Sequence, residues 1–292
     1  MVSSNTSPLI DTFLARLAQE PAVLVRVAST QGSVPREAGT WMAVFADALV
    51  GTIGGGHLEY EAIARARAQL RGEGVQGKEA KDAKEVVSPE APVRFALGPA
   101  LGQCCGGVVH LRFERVGARD VPALAQGLAD ELAGRLVPVA LFGGGHVGHA
   151  LVRVLAPLPF RLTWIDSRDE VFPDEVPERV VCEYSGPVQA AVPGLAPQSR
   201  VLIMSFSHAE DLDVVAACLK RQREKADLPF IGLIGSQTKW AVFQHRLEAR
   251  GFTPAELAQV TCPIGVPGIS GKEPEVIAVA VAAQLLQTVN AA

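Results

Sequence analysis

The stretch VALFGGGHVGHALVRVL, residues 139–155, constrains the chain more than any other. An apolar strand at 138–142 runs directly into Gly143, Gly145 and Gly148, a G-x-G-x-x-G turn that opens an amphipathic helix. Asp166 closes the next apolar strand about 20 residues on, where the dinucleotide fingerprint puts its acid. Glycines let backbone approach a phosphate, and unpaired N–H groups at a helix start bind it. A Rossmann-like fold needs a tight turn here whether or not a ligand arrives. The run therefore speaks for the fold first, and the ligand stays open between a phosphate-bearing molecule, NAD(P) among them, and none. Arg168, just past Asp166, suits an extra phosphate or is simply solvated.

From Val137 strands and helices alternate, the pattern of a mostly parallel sheet covered on both faces. The expected strands are 138–142, 161–165, 179–183, 200–206 and 229–234, with helices near 146–156, 209–225, 236–250 and 274–289. Residues 137–292 are thus read as a Rossmann-like domain. His146 and His149 share the start of its first helix without an evident third ligand, and read as polar surface. His208 and Asp211 follow the end of another strand, the edge where open α/β sheets bind ligands.

The first half has a different texture. A helix over Ser7–Gln19 precedes a strand at 23–29, the turn-rich QGSVPREAG carrying Arg36, and a hairpin at 40–46 and 48–53. Gly54-Gly55-Gly56-His57 leads into a helix with Leu58, Ala62, Ala66 and Leu70 on one face. This turn is a second candidate anion cradle, with Arg36 as a bidentate phosphate contact; a purely structural turn explains the glycines almost equally well. The polar stretch 71–92 reads as a surface excursion. Two more strands, VRFAL and GVVHLRFERV, flank GPALGQCCG. The fold class is α/β: a small α+β domain over residues 1–118, a partly helical linker at 119–136, then the Rossmann-like domain.

Within that flanked segment, Gln103, Cys104, Cys105 and Gly106 put adjacent thiols on a glycine-framed loop whose N–H groups suit a thiolate, a soft ligand for a sulfur-bound metal. The alternative is a buried, inert thiol, the reading given to Cys182 in its strand and Cys218 in its helix. Five cysteines, an odd number without paired spacing, make no disulfide framework and point to a reducing cytoplasm. With 27 Lys and Arg against 31 Asp and Glu, the net charge of −4 lacks the footprint of a nucleic-acid binder. The opening residues do not read as a signal peptide, and no apolar run approaches a membrane span. No G-x-S-x-G elbow and no paired carboxylates stand out. The sequence offers cradles and a thiol rather than a catalytic centre.

Together these residues resemble the XdhC/CoxI family of xanthine dehydrogenase accessory proteins. The likeness lies in QGSVPREAGTWM (31–42), GTIGGGHLE (51–59), LGPALGQCCGGVVHL (97–111) and LFGGGHVGHAL (141–151), and continues in WIDSR (164–168), SFSHAEDLDV (205–214), FIGLIGSQTKWAVFQHRL (230–247) and CPIGVPGISGKEPEVIAVAVAAQLL (262–286). The stretch 71–92 has no counterpart in it. The resemblance implies a molybdenum-cofactor chaperone, not an enzyme. Such a protein holds molybdopterin while a cysteine desulfurase replaces Mo=O by Mo=S, and then delivers it to apo-xanthine dehydrogenase. Its metal-contacting thiol falls on Cys104 or Cys105, and the pterin phosphate on one of the two glycine turns. A homodimer is compatible with the apolar content. The rival readings are an NAD(P)-dependent oxidoreductase using the 143–148 turn and a factor that only docks onto the apo-dehydrogenase.

Overall fold

The apolar run after Pro21 becomes the middle of a sheet because both of its faces are covered. In the computed structural model, which describes residues 8–73, 91–97 and 106–289, this run is β1 (Ala22–Gln31). It pairs antiparallel with β2 (Trp41–Val44) on one side and β5 (Val108–Val116) on the other. β3 (Leu49–Gly51) and β4 (Val93–Ala96) complete an antiparallel sheet of order β3-β2-β1-β5-β4. Val23, Val25 and Val27 pack with Leu58, Ala62 and Ala66 of α2 (Gly56–Leu70). Ala22 and Leu24, pointing the other way, join Phe13 and Leu17 of α1 (Pro8–Leu17) and Leu128 of α3 (Val121–Arg135). The period-two alternation of a strand distributes its side chains between two cores.

Contacts divide the chain into two units, residues 1–132 and 133–292. The stretch read as a linker, 119–136, is mostly α3, and Val121, Leu124 and Leu132 pack beside Leu128 in the first unit's core.

The second unit holds a six-stranded parallel sheet: β6 (Val137–Phe142), β7 (Phe160–Asp166), β8 (Val180–Tyr184), β9 (Arg200–Ile203), β10 (Phe230–Leu233) and β11 (Val260–Thr261). Its order is β8-β7-β6-β9-β10-β11, running outward in both directions from β6 and β9. This is the doubly wound order, with its switch point between β6 and β9. The two-residue β11 was not expected from the sequence, and the run 200–206 is a strand only to Ile203.

Along β6, Val139 and Leu141 pack with α4 (His146–Leu155) and α8 (Pro274–Val289); Ala140 and Phe142 face α5 (His208–Lys225) and α6 (Gln237–Glu248). Burial on both faces is why these strands read as continuous apolar runs. Among the described residues, no helix is long and apolar enough to cross a membrane.

Helix starts fall into two kinds. Ser207 and Ser236 cap α5 and α6 by accepting from Glu210 N–H and Lys239 N–H, and Thr253 with Glu256 forms a capping box on α7 (Pro254–Leu257). α2 and α4, the helices behind the two glycine turns, begin after Gly55 and Gly145 with no side-chain cap.

Candidate functional site

In the first unit three separated segments meet. Gly54, Gly55 and Gly56 all hold positive φ, at 119°, 75° and 68°, a run only glycine sustains without strain. Gly54 sits so tightly on the preceding loop that a Cβ there would fall 2.7 Å from Pro35 Cβ and 3.3 Å from Arg36 Cγ. The same loop receives Gly107, whose Cβ would lie 2.4 Å from the Ser33 carbonyl oxygen and 2.7 Å from that of Gln31. Leu97 N–H donates to the Gly107 carbonyl at 2.8 Å, just beyond the Ala96–Val108 pairing. The two ends of the double-cysteine segment are thereby fixed against the Arg36 loop. Gln103, Cys104 and Cys105 themselves lie outside the described residues. Gly106 is exposed with nothing near its Cβ position.

The cradle already contains an anion. Glu59 Oε2 accepts from Thr52 Oγ1 at 2.5 Å, Ile53 N–H at 3.0 Å and Gly55 N–H at 3.1 Å. The N–H groups of Gly56 and His57 open the uncapped helix beyond it. Arg36 is exposed and makes no ion pair among the described residues. His57 is exposed, with Nε2 3.1 Å from Glu61 Oε1.

The second glycine turn has the fingerprint's geometry. Gly143, at φ 126°, lies where a Cβ would be 2.0 Å from the Met204 carbonyl oxygen of the neighbouring strand end; one on Gly148 would be 2.1 Å from the Gly143 carbonyl oxygen. Gly145 alone faces open space. Here too a carboxylate fills the turn. Asp166 Oδ2 accepts from Gly144 N–H at 2.6 Å and an Arg168 guanidinium N–H at 3.0 Å, while Oδ1 accepts from Arg168 N–H and Arg168 Nε–H, both at 2.9 Å. Four donors take up the acceptor capacity of the two oxygens, and Asp166 is 1% exposed. Arg168 is neither an idle surface cation nor a free phosphate ligand: it is Asp166's counter-ion, stacked with Cζ 4.2 Å from the Phe206 ring centroid.

Burial pushes the Asp166 pKa up, but hydrogen bonds from Arg168 and Gly144 and the Arg168 charge outweigh it, and the net shift is downward. A depressed aspartate contributes stability above its ordinary pKa of about 4 and loses it as pH falls through the lower, folded value. Thermal melts are therefore expected to fall between about pH 4 and pH 2, with a shallower fall for Asp166→Asn; equal slopes would show that this carboxylate does not carry the acid sensitivity.

The remaining candidates disperse. His146 is exposed, while His149 stacks edge-on against Trp164 at 4.8 Å. His208 is exposed at the start of α5, near Phe243. Among the described residues no group of three or more His, Cys, Asp or Glu is placed to hold a metal. Cys218 is buried and its thiol pushed up to about 12 by desolvation; Cys262 is half-buried and pushed up to about 11, again chiefly by desolvation. Neither supplies a thiolate at neutral pH. Glu59, Phe206 and the Lys239 partner of Asp211 escape a motif reading, although Glu59 stands in the first turn after the glycines, where a carboxylate favours the helix dipole.

Residues 139–285 match the family model described as the XdhC Rossmann domain, and residues 15–77 that of the XdhC and CoxI family. The uncharacterized protein YqeB of Escherichia coli (strain K12) is 24% identical over 287 residues, which are 96% of this chain and 46% of YqeB. The chain thus spans about half the length of that relative. A crystal structure described as a xanthine dehydrogenase from Bacillus halodurans shares the fold with a TM-score of 0.70, at 19% identity, over 96% of this chain and 95% of that one.

Proposed function

The chain belongs to the XdhC family, and from that premise we propose that it is an accessory factor for a xanthine dehydrogenase-type molybdoenzyme, carrying molybdopterin cofactor as cargo. It holds the cofactor during sulfuration by a cysteine desulfurase in the cytoplasm and passes it to the apo-enzyme. The observation that supports this most is the meeting, in one unit, of the Gly54–Gly56 turn, the Arg36 loop and the anchored ends of the Cys104–Cys105 segment.

The donor set suits the cargo, which brings a terminal phosphate and a soft, sulfur-ligated metal. Arg36 and the N–H groups opening α2 offer cationic and dipolar contacts to the phosphate. Glu59 takes the Gly55 amide, so Arg36 carries more of that contact than the glycines. Cys104 or Cys105 supplies the thiolate for the metal end. The protein's part is to bind, orient and shield; no pair of groups placed for acid–base catalysis is found among the described residues. Against the dinucleotide-dependent oxidoreductase stands Asp166. The acid that should read the ribose hydroxyls is sealed and fully engaged.

The test is the full chain expressed in cells that make the cofactor, with molybdenum and oxidised pterin assayed in the purified protein. Replacing Cys104 and Cys105 together by Ala is expected to abolish the metal, and Arg36→Ala to lower pterin occupancy roughly ten-fold, as loss of a charge-assisted contact does. Full occupancy in the double variant would refute the assignment.

A further inference from the structure

We propose that the second unit binds a fused ring bearing a 2-amino-4-oxopyrimidine edge, the edge shared by guanine and pterin, in a groove at the carboxyl ends of β7 and β8. The groove encloses about 570 Å³ and is lined by Ser167, Arg168, Asp169, Glu170 and Tyr184. That volume lies within the range of small-molecule sites, and the carboxyl edge of a doubly wound sheet is where such sites occur.

Its walls suit a flat ring. Arg168 is fixed in place by Asp166 on one side and the Phe206 ring on the other. Phe206 and Tyr184 are 66% and 60% exposed, unusual for aromatic rings with no ligand role. A guanidinium held against an aromatic ring, beside a second exposed ring, is a stacking platform for a heteroaromatic base.

Its charge selects the ring. Arg168 is neutralised by Asp166, and the Ser167 hydroxyl donates to Glu210 at 2.6 Å. That leaves the carboxylates of Asp169 and Glu170, both exposed and neither hydrogen-bonded to another described side chain, as the polar groups facing a guest. A carboxylate pairs in bidentate fashion with two adjacent N–H donors. The 2-amino-4-oxopyrimidine edge presents such a pair, a ring N–H beside an exocyclic amine. Adenine presents a bare ring nitrogen there and meets the carboxylate with a lone pair. Because Asp166 is engaged, a sugar attached to the ring goes unread.

The guanine source stands apart from the accessory role proposed above; only the pterin source rests on it. The test measures binding of GMP, AMP and 6-hydroxymethylpterin to the full chain by calorimetry. GMP, the pterin or both are expected to bind about ten-fold or more tighter than AMP. Phe206→Ala and Tyr184→Ala, surface changes that spare the core, should each weaken that binding by about ten-fold. The double change Asp169→Asn with Glu170→Gln should erase the preference over AMP. Binding of GMP alone assigns a nucleotide, and of the pterin alone a pterin. No preference over AMP, or binding unmoved by Phe206→Ala, overturns the proposal. Cofactor loading through Cys104 and Cys105 is read by a different assay and different variants, so either idea can fail without the other.

Discussion

Alanine at position 143 is expected to lower the melting temperature of the protein by about 10 °C, while alanine at position 145 leaves it nearly unchanged. At Gly143 two costs coincide. Its φ of 126° is a conformation L side chains rarely adopt, and the added Cβ would lie 2.0 Å from the Met204 carbonyl oxygen. The strain is worth about 1–3 kcal/mol and the overpacking about the same. Nor is relief easy. Met204 N–H donates to the Phe142 carbonyl at 2.8 Å and Gly143 N–H to the Ile165 carbonyl at 2.8 Å, so both strand ends are held by their neighbours. A loss near 4 kcal/mol at roughly 2–4 °C per kcal/mol gives the expected shift for a unit of this size. At Gly145 φ is −78° and no atom lies within 4 Å of the Cβ position. Circular dichroism melts of the two variants separate the roles, and a Gly143→Ala protein melting within a degree or two of the parent would mean the turn is not the tight corner described here.

That contrast also shows why a glycine motif reads as fold before it reads as function. Gly143 and Gly148 are required by backbone approach within the sheet and to its helix, a constraint visible in spacing alone. The alternation of strand and helix after Val137 is legible for the same reason, since burial on both faces leaves uninterrupted apolar runs. β11 was missed because two residues carry no period, and the strand after Arg200 ends early because the chain turns at Met204–Ser205 into the Ser207 cap.

The site was less legible than the fold. Spacing marks where N–H groups converge but not what they already hold. Glu59 and Asp166 each answer their own glycine turn, one from within the helix and one from the adjacent strand, and the second pairing spans 22 residues of sequence. Likewise Arg168 reads as solvated or phosphate-binding until its neighbours across the sheet, Asp166 and Phe206, are seen. The convergence of the Arg36 loop, Gly54 and Gly107 joins segments from three parts of the chain that no local pattern connects. Cys104 and Cys105, the residues on which the family likeness leans most, lie outside the described residues.

Asp211 is the sharpest case of a position whose location suggests ligand contact and whose partners suggest otherwise. It stands at the carboxyl edge of the sheet, yet is 2% exposed, accepting from Ser205 N–H at 2.7 Å and from Lys239 Nζ at 2.6 Å. Lys239 also donates to the Ile234 carbonyl at 2.9 Å, so the pair ties the ends of β9 and β10 to α5 and α6. Removing one member of a buried pair leaves the other charge without compensation, at a cost of about 3–5 kcal/mol, whereas removing both is far milder. Lys239→Met is therefore expected to cost about 4 kcal/mol in urea unfolding, and Asp211→Asn combined with Lys239→Met to recover more than half of that. Recovery in the double variant identifies the pair as a brace, because a ligand contact does not reappear when both its groups are lost. A Lys239→Met protein within about 1 kcal/mol of the parent would reverse the assignment, since a half-hidden ammonium that contributes nothing to stability is one held in readiness for an anion.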